Sequence, residues 1–323
     1  MTGEELLVER DGPVLRVTLN RPDHLNAVTA SVLDGVTEAV SQAAADQAIR
    51  VLVLTGAGRA FCSGADLAGP SGGDSTLHSA NRAVLALREL GKPVVAAVNG
   101  LAAGVGCSLA LAGDLVMARN SAYFLLAFVN IGLMPDGGAT MLVPAAIGRA
   151  RAMRMALLAE RIPAAQAADW GLISHVVDDD SYDDEEVAAV VGKLVQGPPL
   201  AYAETKRAIN ATTIDNLLAA IDRETAGQAD LLRSQDVAEG VAAFPGPPAA
   251  QVQRLLGDAE PVRYRAGDGG PVARRKYRRL GRAGRVFVGV RWTIEPDLSR
   301  HRRRWCRTCA APSAHRWGTQ YCP

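Results

Sequence analysis

Three short stretches carry residue types and spacings that could do chemistry. Residues 100–108, GLAAGVGCS, follow an apolar run and open a small-residue helix. A loop that enters a helix leaves the first backbone N–H groups without acceptors, so they can meet an anion or a developing negative charge. Gly104 and Gly106 let that backbone come close to whatever it faces. Residues 61–67, FCSGADL, make a second tight loop. One amide from each loop would form a hole for a carbonyl oxygen that gains negative charge. The third stretch is MPDGG, where Asp136 sets a carboxylate on a turn ahead of a helix. Its two candidate roles are to move a proton or to cap the helix that starts near Gly137. A hydrolase reading also arises, because residues 106–110, GCSLA, come close to the G-x-S-x-G elbow, with Ser108 as nucleophile and His175 as base. Against it, Ala110 replaces the last glycine, the link from Val98 is too long for a sharp elbow, and His175 falls in an expected strand.

The elements around these stretches alternate between strand and helix. Residues 6–10 and 14–20 read as a hairpin about Asp11-Gly12-Pro13. Val32, Leu33, Val36, Val40 and Ala44 fall at helical spacing behind an N-cap at Thr29 or Ser31. Strands are expected at 51–54, 93–98, 115–118, 122–126 and 173–177, with helices at 75–90, 107–112, 149–159 and 164–170. This pattern predicts an α/β unit with crossovers. Residues 185–244 read as all helical, split at Pro198-Pro199, and the amphipathic stretch 214–232 wants a partner surface, such as another subunit.

Length and composition suit a globular chain with a full core: 323 residues, 48% of them hydrophobic. The start, MTGEELLVERDG, is acidic and polar where a secretory signal would be basic and then apolar, so a cytoplasmic protein is expected. Cys62 and Cys107 lie in interior motifs far apart in sequence and read as reduced thiols. The net charge of +1 hides two halves of opposite sign: residues 245–323 hold 16 Arg, 1 Lys and 5 acidic residues, which leaves −11 on the first 244. Three of the four Trp and three of the five Cys also fall in that tail. Such a switch in residue usage marks a boundary, and it is what a reading-frame shift in a GC-rich gene would produce. The competing reading is a metal or nucleic-acid module, with Cys306, Cys309, His315 and Cys322 as zinc ligands beside the basic run ARRKYRRLGR. The expected organisation is therefore a core over 1–184, a helical region over 185–244 and a poorly packed tail over 245–323.

AFCSGADL, AVNGLAAGVGCSLALAGDL, IGLMPDGGAT and AADWGLISHVV, in that order and spacing, resemble the crotonase (enoyl-CoA hydratase/isomerase) superfamily. The resemblance covers roughly residues 6–244 and implies a spiral of ββα turns whose C-terminal helices trimerise, as a homotrimer or a dimer of trimers. It implies a coenzyme A thioester as substrate, with no separate cofactor and no metal, and places the chain in fatty-acid or related acyl-CoA metabolism. By motif, the thioester carbonyl falls to the amides of Ala65 and Val105. The loop of Ser63, Gly64, Ala65, Asp66 and Leu67 falls to the adenine end of coenzyme A, with Gly104, Ser108 and Phe128 also at the ligand. Lys206 and Arg207 could meet its phosphates across a subunit boundary, and His24 reads as a surface residue near the ligand. Members that add water carry glutamates where this chain has Ser108 and Phe128, neither of which exchanges protons near neutral pH. Asp136 falls where isomerase-like members carry a catalytic aspartate, so a shift of an enoyl-CoA double bond is favoured. Hydration, binding of the thioester without turnover, and the serine hydrolase remain the alternatives.

Overall fold

The computed structural model describes residues 4–67, 74–182 and 186–243. The tail over 245–323, with its zinc and basic motifs, lies outside the described residues. The chain opens with a hairpin, β1 (Leu6–Asp11) and β2 (Val14–Leu19), paired antiparallel from Leu6↔Leu19 to Asp11↔Val14 around Gly12, whose φ is +53°. Helix α1 (Ala30–Ala45) follows, and Thr29 is its cap: the threonine hydroxyl accepts from Val32 N at 3.3 Å.

From there the chain repeats one motif. A strand joins a first sheet, a short strand then joins a second sheet, and a helix returns the chain. The turns run β3 (Val51–Gly56), β4 (Ala60–Cys62), α2 (Asp74–Glu89); then β5 (Val94–Val98), β6 (Leu101–Ala103), α3 (Val105–Leu111); then β7 (Leu115–Arg119), β8 (Tyr123–Leu125), α4 (Ala139–Leu158). A two-residue strand β9 (Ile162–Pro163), α5 (Ala164–Trp170) and β10 (His175–Val177) close the core. Sheet one has the order β1-β2-β3-β5-β7-β10, parallel from β2 onward, and sheet two the order β4-β6-β8-β9. This is the expected spiral of ββα turns. Of sheet two, only β8 falls within a strand expected from sequence, at 122–126; residues 60–67 and 101–103 read as loop and β9 was not expected. The strands of this sheet are three residues long or fewer, below the length at which alternation can be read.

Both faces of sheet one are covered. Along β3, Leu52 and Leu54 point into the core shared with α1 and α2, while Val51 and Val53 point into a smaller core with Tyr182, Val187 and Val191. That is why the central strands read as unbroken apolar runs. The region after the core is helical as expected: α6 (Val187–Gln196), α7 (Pro199–Thr213), α8 (Leu217–Leu231) and α9 (Gln235–Ala243). The amphipathic stretch is α8, and its surface partner lies within the same chain. Leu217, Ala220, Ile221, Glu224 and Gln228 are buried there, and Asn81 of α2 donates to Thr225 Oγ1 at 3.0 Å. Helix α4 is two helices joined at Gly148, where φ is +74°.

Candidate active site

Two loops meet because two glycines let them. A methyl group on Gly106 would lie 2.5 Å from the Cys62 carbonyl oxygen, and one on Gly64 would lie 3.4 Å from that of Ala103. The 62–65 loop therefore rests directly on the start of α3. Ala65 forms a parallel bridge with Val28, in which Val28 N donates to Gly64 O and Asp66 N donates to Val28 O, both at 2.9 Å. The pleat turns the intervening N–H of Ala65 the other way. On α3, Gly104 O accepts from Cys107 N and Ser108 N at 3.0 and 3.3 Å, while Gly104 N donates to Leu125 O at 2.9 Å. Val105 N belongs to the first turn and has no helical acceptor. Among the described residues, neither the Ala65 nor the Val105 amide has a protein acceptor. Phe128 closes one side, with its ring edge 3.9 Å from where a methyl on Gly104 would stand.

The rest of the 63–67 loop is braced by its neighbours. Asp66 is held by Arg21 at 2.8 Å, and Arg21 also meets Glu5 at 3.1 Å and donates to Ala27 O at 2.6 Å. Ser63 Oγ donates to His24 O at 3.3 Å, so His24, itself exposed, meets the loop through its backbone. Ala65 and Leu67 stay exposed at the rim. The two thiols are structural: burial pushes both Cys62 and Cys107 up to about 12.

Asp136 does not cap the helix. Residue Gly138 is the cap of α4 and offers no side chain; Glu224 of α8 takes that role, accepting from Gly138 N at 2.7 Å and Thr140 N at 2.8 Å. Asp136 is buried, and desolvation pushes its carboxyl up to about 7; the hydrogen bond from Gln228 pulls it down and the Glu224 charge pushes it up again. Gln228 Nε2 donates to Asp136 Oδ2 at 2.7 Å and to Met134 O at 2.9 Å, while its Oε1 accepts from Met134 N at 3.3 Å. Glu224 is also pushed upward by burial, against four hydrogen-bond and charge effects that lower it.

Ser108 is fully buried and its hydroxyl donates to the Asp136 carbonyl at 2.7 Å, which fixes the turn against α3. A methyl on Gly137 would meet the Ser108 Cβ at 2.9 Å, so the two segments touch. His175 is exposed on β10, and no hydrogen bond links it to Ser108, so the structure brings no serine hydrolase relay together. Lys206 is also placed otherwise than expected. Its ammonium pairs with Asp114 at 2.9 Å and donates to Leu87 O at 2.9 Å, in a position that is about nine-tenths buried. It anchors α7 and is not offered to a phosphate. Arg207 is exposed and paired with Glu204. Surface clefts of about 370 and 290 Å³ lie beside α7, around Arg88 and Asn210, and share no residue with the amide pair or Asp136. Among the described residues, no group of three His, Cys, Asp or Glu could hold a metal, and no helix is long and apolar enough to cross a membrane.

The sequence reading missed Glu224 and Gln228. The available signal was the stripe 217, 221, 224, 228 on α8, where two polar residues follow Leu217 and Ile221 on a face that is otherwise apolar. Polar groups on a buried stripe need partners, and both found theirs at the 134–140 turn.

Related chains share this sequence and this fold. The family profile described as Enoyl-CoA hydratase/isomerase matches residues 9–246. A 1,2-epoxyphenylacetyl-CoA isomerase of Escherichia coli (strain K12) is 42% identical over 250 residues, covering 75% of this chain and 95% of the relative. A 2,3-dehydroadipyl-CoA hydratase of the same strain is 36% identical over 243 residues, 74% of this chain and 95% of the relative. A crystal structure of an enoyl-CoA hydratase from Mycobacterium avium subsp. paratuberculosis K-10, 49% identical, superposes with a TM-score of 0.71 over 74% of this chain and 98% of the other. With its ββα spiral, its pair of outward amides and these matches, the chain belongs to the enoyl-CoA hydratase/isomerase family of the crotonase superfamily.

Proposed function

We propose that this acyl-CoA enzyme shifts the double bond of an enoyl-CoA thioester, with Asp136 as the proton shuttle. The observation that supports it is a buried carboxylate poised near neutrality, in a site whose two glutamate positions are Ser108 and Phe128. The Asp136 carboxylate takes a proton from the carbon next to the thioester. The electron pair moves into the thioester and gives a dienolate, whose oxygen is met by the Ala65 and Val105 N–H groups. The protonated Asp136 then returns the same proton two carbons further along, and the double bond comes into conjugation. Nothing is added and nothing leaves. A base with a pKa of about 7 is half ionised at neutral pH, which suits a group that must both take and give a proton. The 42%-identical relative is named an isomerase of another CoA thioester, 1,2-epoxyphenylacetyl-CoA, which supports rearrangement at constant mass. The loop of Ser63, Gly64, Ala65, Asp66 and Leu67 holds the adenine end of coenzyme A in this reading. The working form is a homotrimer or dimer of trimers in the cytoplasm.

The test is to supply the protein with 3-enoyl-CoA and with 2-enoyl-CoA and follow mass and ultraviolet absorbance. Conjugation appearing at constant mass is expected from the 3-enoyl thioester. A product heavier by one water would sink the reading in favour of a hydratase, and binding without conversion would favour a thioester binder. Asp136→Asn is expected to lose on the order of a thousandfold in kcat while its thioester affinity, measured by calorimetry, stays within about twofold.

A further inference from the structure

We infer that Gln228 is the positioning residue of this site: it binds one oxygen of Asp136 and leaves the other as the single oxygen that exchanges the proton. The inference rests on the reading of Asp136 as the shuttle. The side-chain amide of Gln228 cannot be turned round. Met134 presents both its N–H and its C=O to it, and only one orientation gives the N–H an acceptor (Oε1, 3.3 Å) and the C=O a donor (Nε2, 2.9 Å). With both backbone groups matched, Nε2 faces Asp136 Oδ2 at 2.7 Å and can only donate there. A proton on Oδ2 would point at an N–H group, so protonation is confined to Oδ1. No hydrogen bond among the described residues engages Oδ1. The same oxygen must therefore take the proton and give it back.

Among the described residues, Gln228 is the one donor to this carboxylate. Glu224, one turn earlier on α8, is the further charged group that acts on it, and it is occupied by Gly138 and Thr140. From α3, the Ser108 hydroxyl meets the Asp136 backbone carbonyl and not the carboxylate. Helix α9 packs against residues 131 and 132, with Asp236 and Val237 beside Gly132 and Gly240 beside Ile131, and no hydrogen bond among the described residues links it to the Asp136 carboxylate. Oδ2 accepts from Gln228 in both protonation states, but an N–H donor binds the carboxylate more strongly than the neutral acid, so its removal makes Asp136 a weaker acid and shifts the pH at which the enzyme gains activity.

The experiment is the pH dependence of kcat/KM on 3-enoyl-CoA, from pH 5 to 9, for the wild type, Gln228→Met and Gln228→Glu. In Gln228→Met the acidic limb is expected to move up by about one pH unit, the loss of one charge-assisted hydrogen bond, with kcat down on the order of tenfold and KM within about twofold. Gln228→Glu keeps the shape and puts an acceptor where the donor was, so its limb should move further in the same direction. If Gln228→Met is insoluble, Gln228→Glu carries the test alone. A limb that stays at the wild-type pH in the soluble variants, whatever happens to Tm, would overturn the positioning role. The underlying reading fails differently: Asp136→Asn retaining wild-type turnover would sink it. An inactive Asp136→Asn beside an unmoved limb sinks only the role of Gln228.

Discussion

Burial of Asp136 acts in opposite directions on the role proposed for it and on the stability of the fold. An ordinary aspartate titrates near 3.8, whereas this one is held at about 7 by desolvation. A folded-state pKa above the unfolded one means that folding takes up a proton between those values. The stability contribution is fully present below about pH 4 and is lost as pH rises through about 7. Asp136→Asn cannot ionise, and its amide oxygen can still accept from Gln228. At pH 8 the variant is therefore expected to be more stable than the wild type by on the order of 2–4 kcal/mol, several degrees in Tm, with the gap closing toward pH 4. Thermal unfolding at both pH values checks this; equal Tm at pH 8 would mean the carboxylate is not desolvated. The position of Asp136 was legible in MPDGG, but its competing role as helix cap could not be dismissed from sequence. What removes the cap reading is Glu224, 88 residues later in the chain, which accepts from the first N–H groups of the helix.

At the scale of elements, the catalytic geometry depends on how closely α3 and the 62–65 loop approach. Gly106→Ala would drive its methyl into the Cys62 carbonyl, 2.5 Å away, and push the loop from the helix. The expected outcome is a fall in kcat on the order of a hundredfold as the two amides separate, with Asp136 and its pH limb unaffected. A variant with wild-type kcat would show that the pair of loops tolerates separation. The glycine pattern announced this contact, because only residues without a side chain allow it. Apart from β8, the second sheet gave no such notice. Strands such as β6, three residues ending at the start of α3, are held by pairing with β4 and β8, and no property of Leu101, Ala102 and Ala103 alone encodes that.

Across the whole molecule, α7 is tied to the sheet core by a buried charge cluster. Lys206 and Arg88 converge on Asp114, whose carboxylate also accepts from Val94 N at 2.8 Å at the mouth of β5. Lys206→Met is expected to lower stability by about 2–4 kcal/mol and leave KM for the thioester within about twofold. A large rise in KM with unchanged Tm would return Lys206 to the ligand. The charge of Lys206 was plain in the sequence, but its burial was not, since that depends on which face of α7 meets the core. Helix α8 reaches furthest. It brings Glu224 and Gln228 to a turn some ninety residues earlier, so Asp136 and the partners of its turn leave the ribosome at different times. A nascent chain that has reached Thr213 already holds Ala65, Val105 and Asp136, yet the helix that carries Glu224 and Gln228 has not been synthesised. On the proposed reading, a chain that stops before α8 has both amides and Asp136 but lacks the side chain that orients the carboxylate.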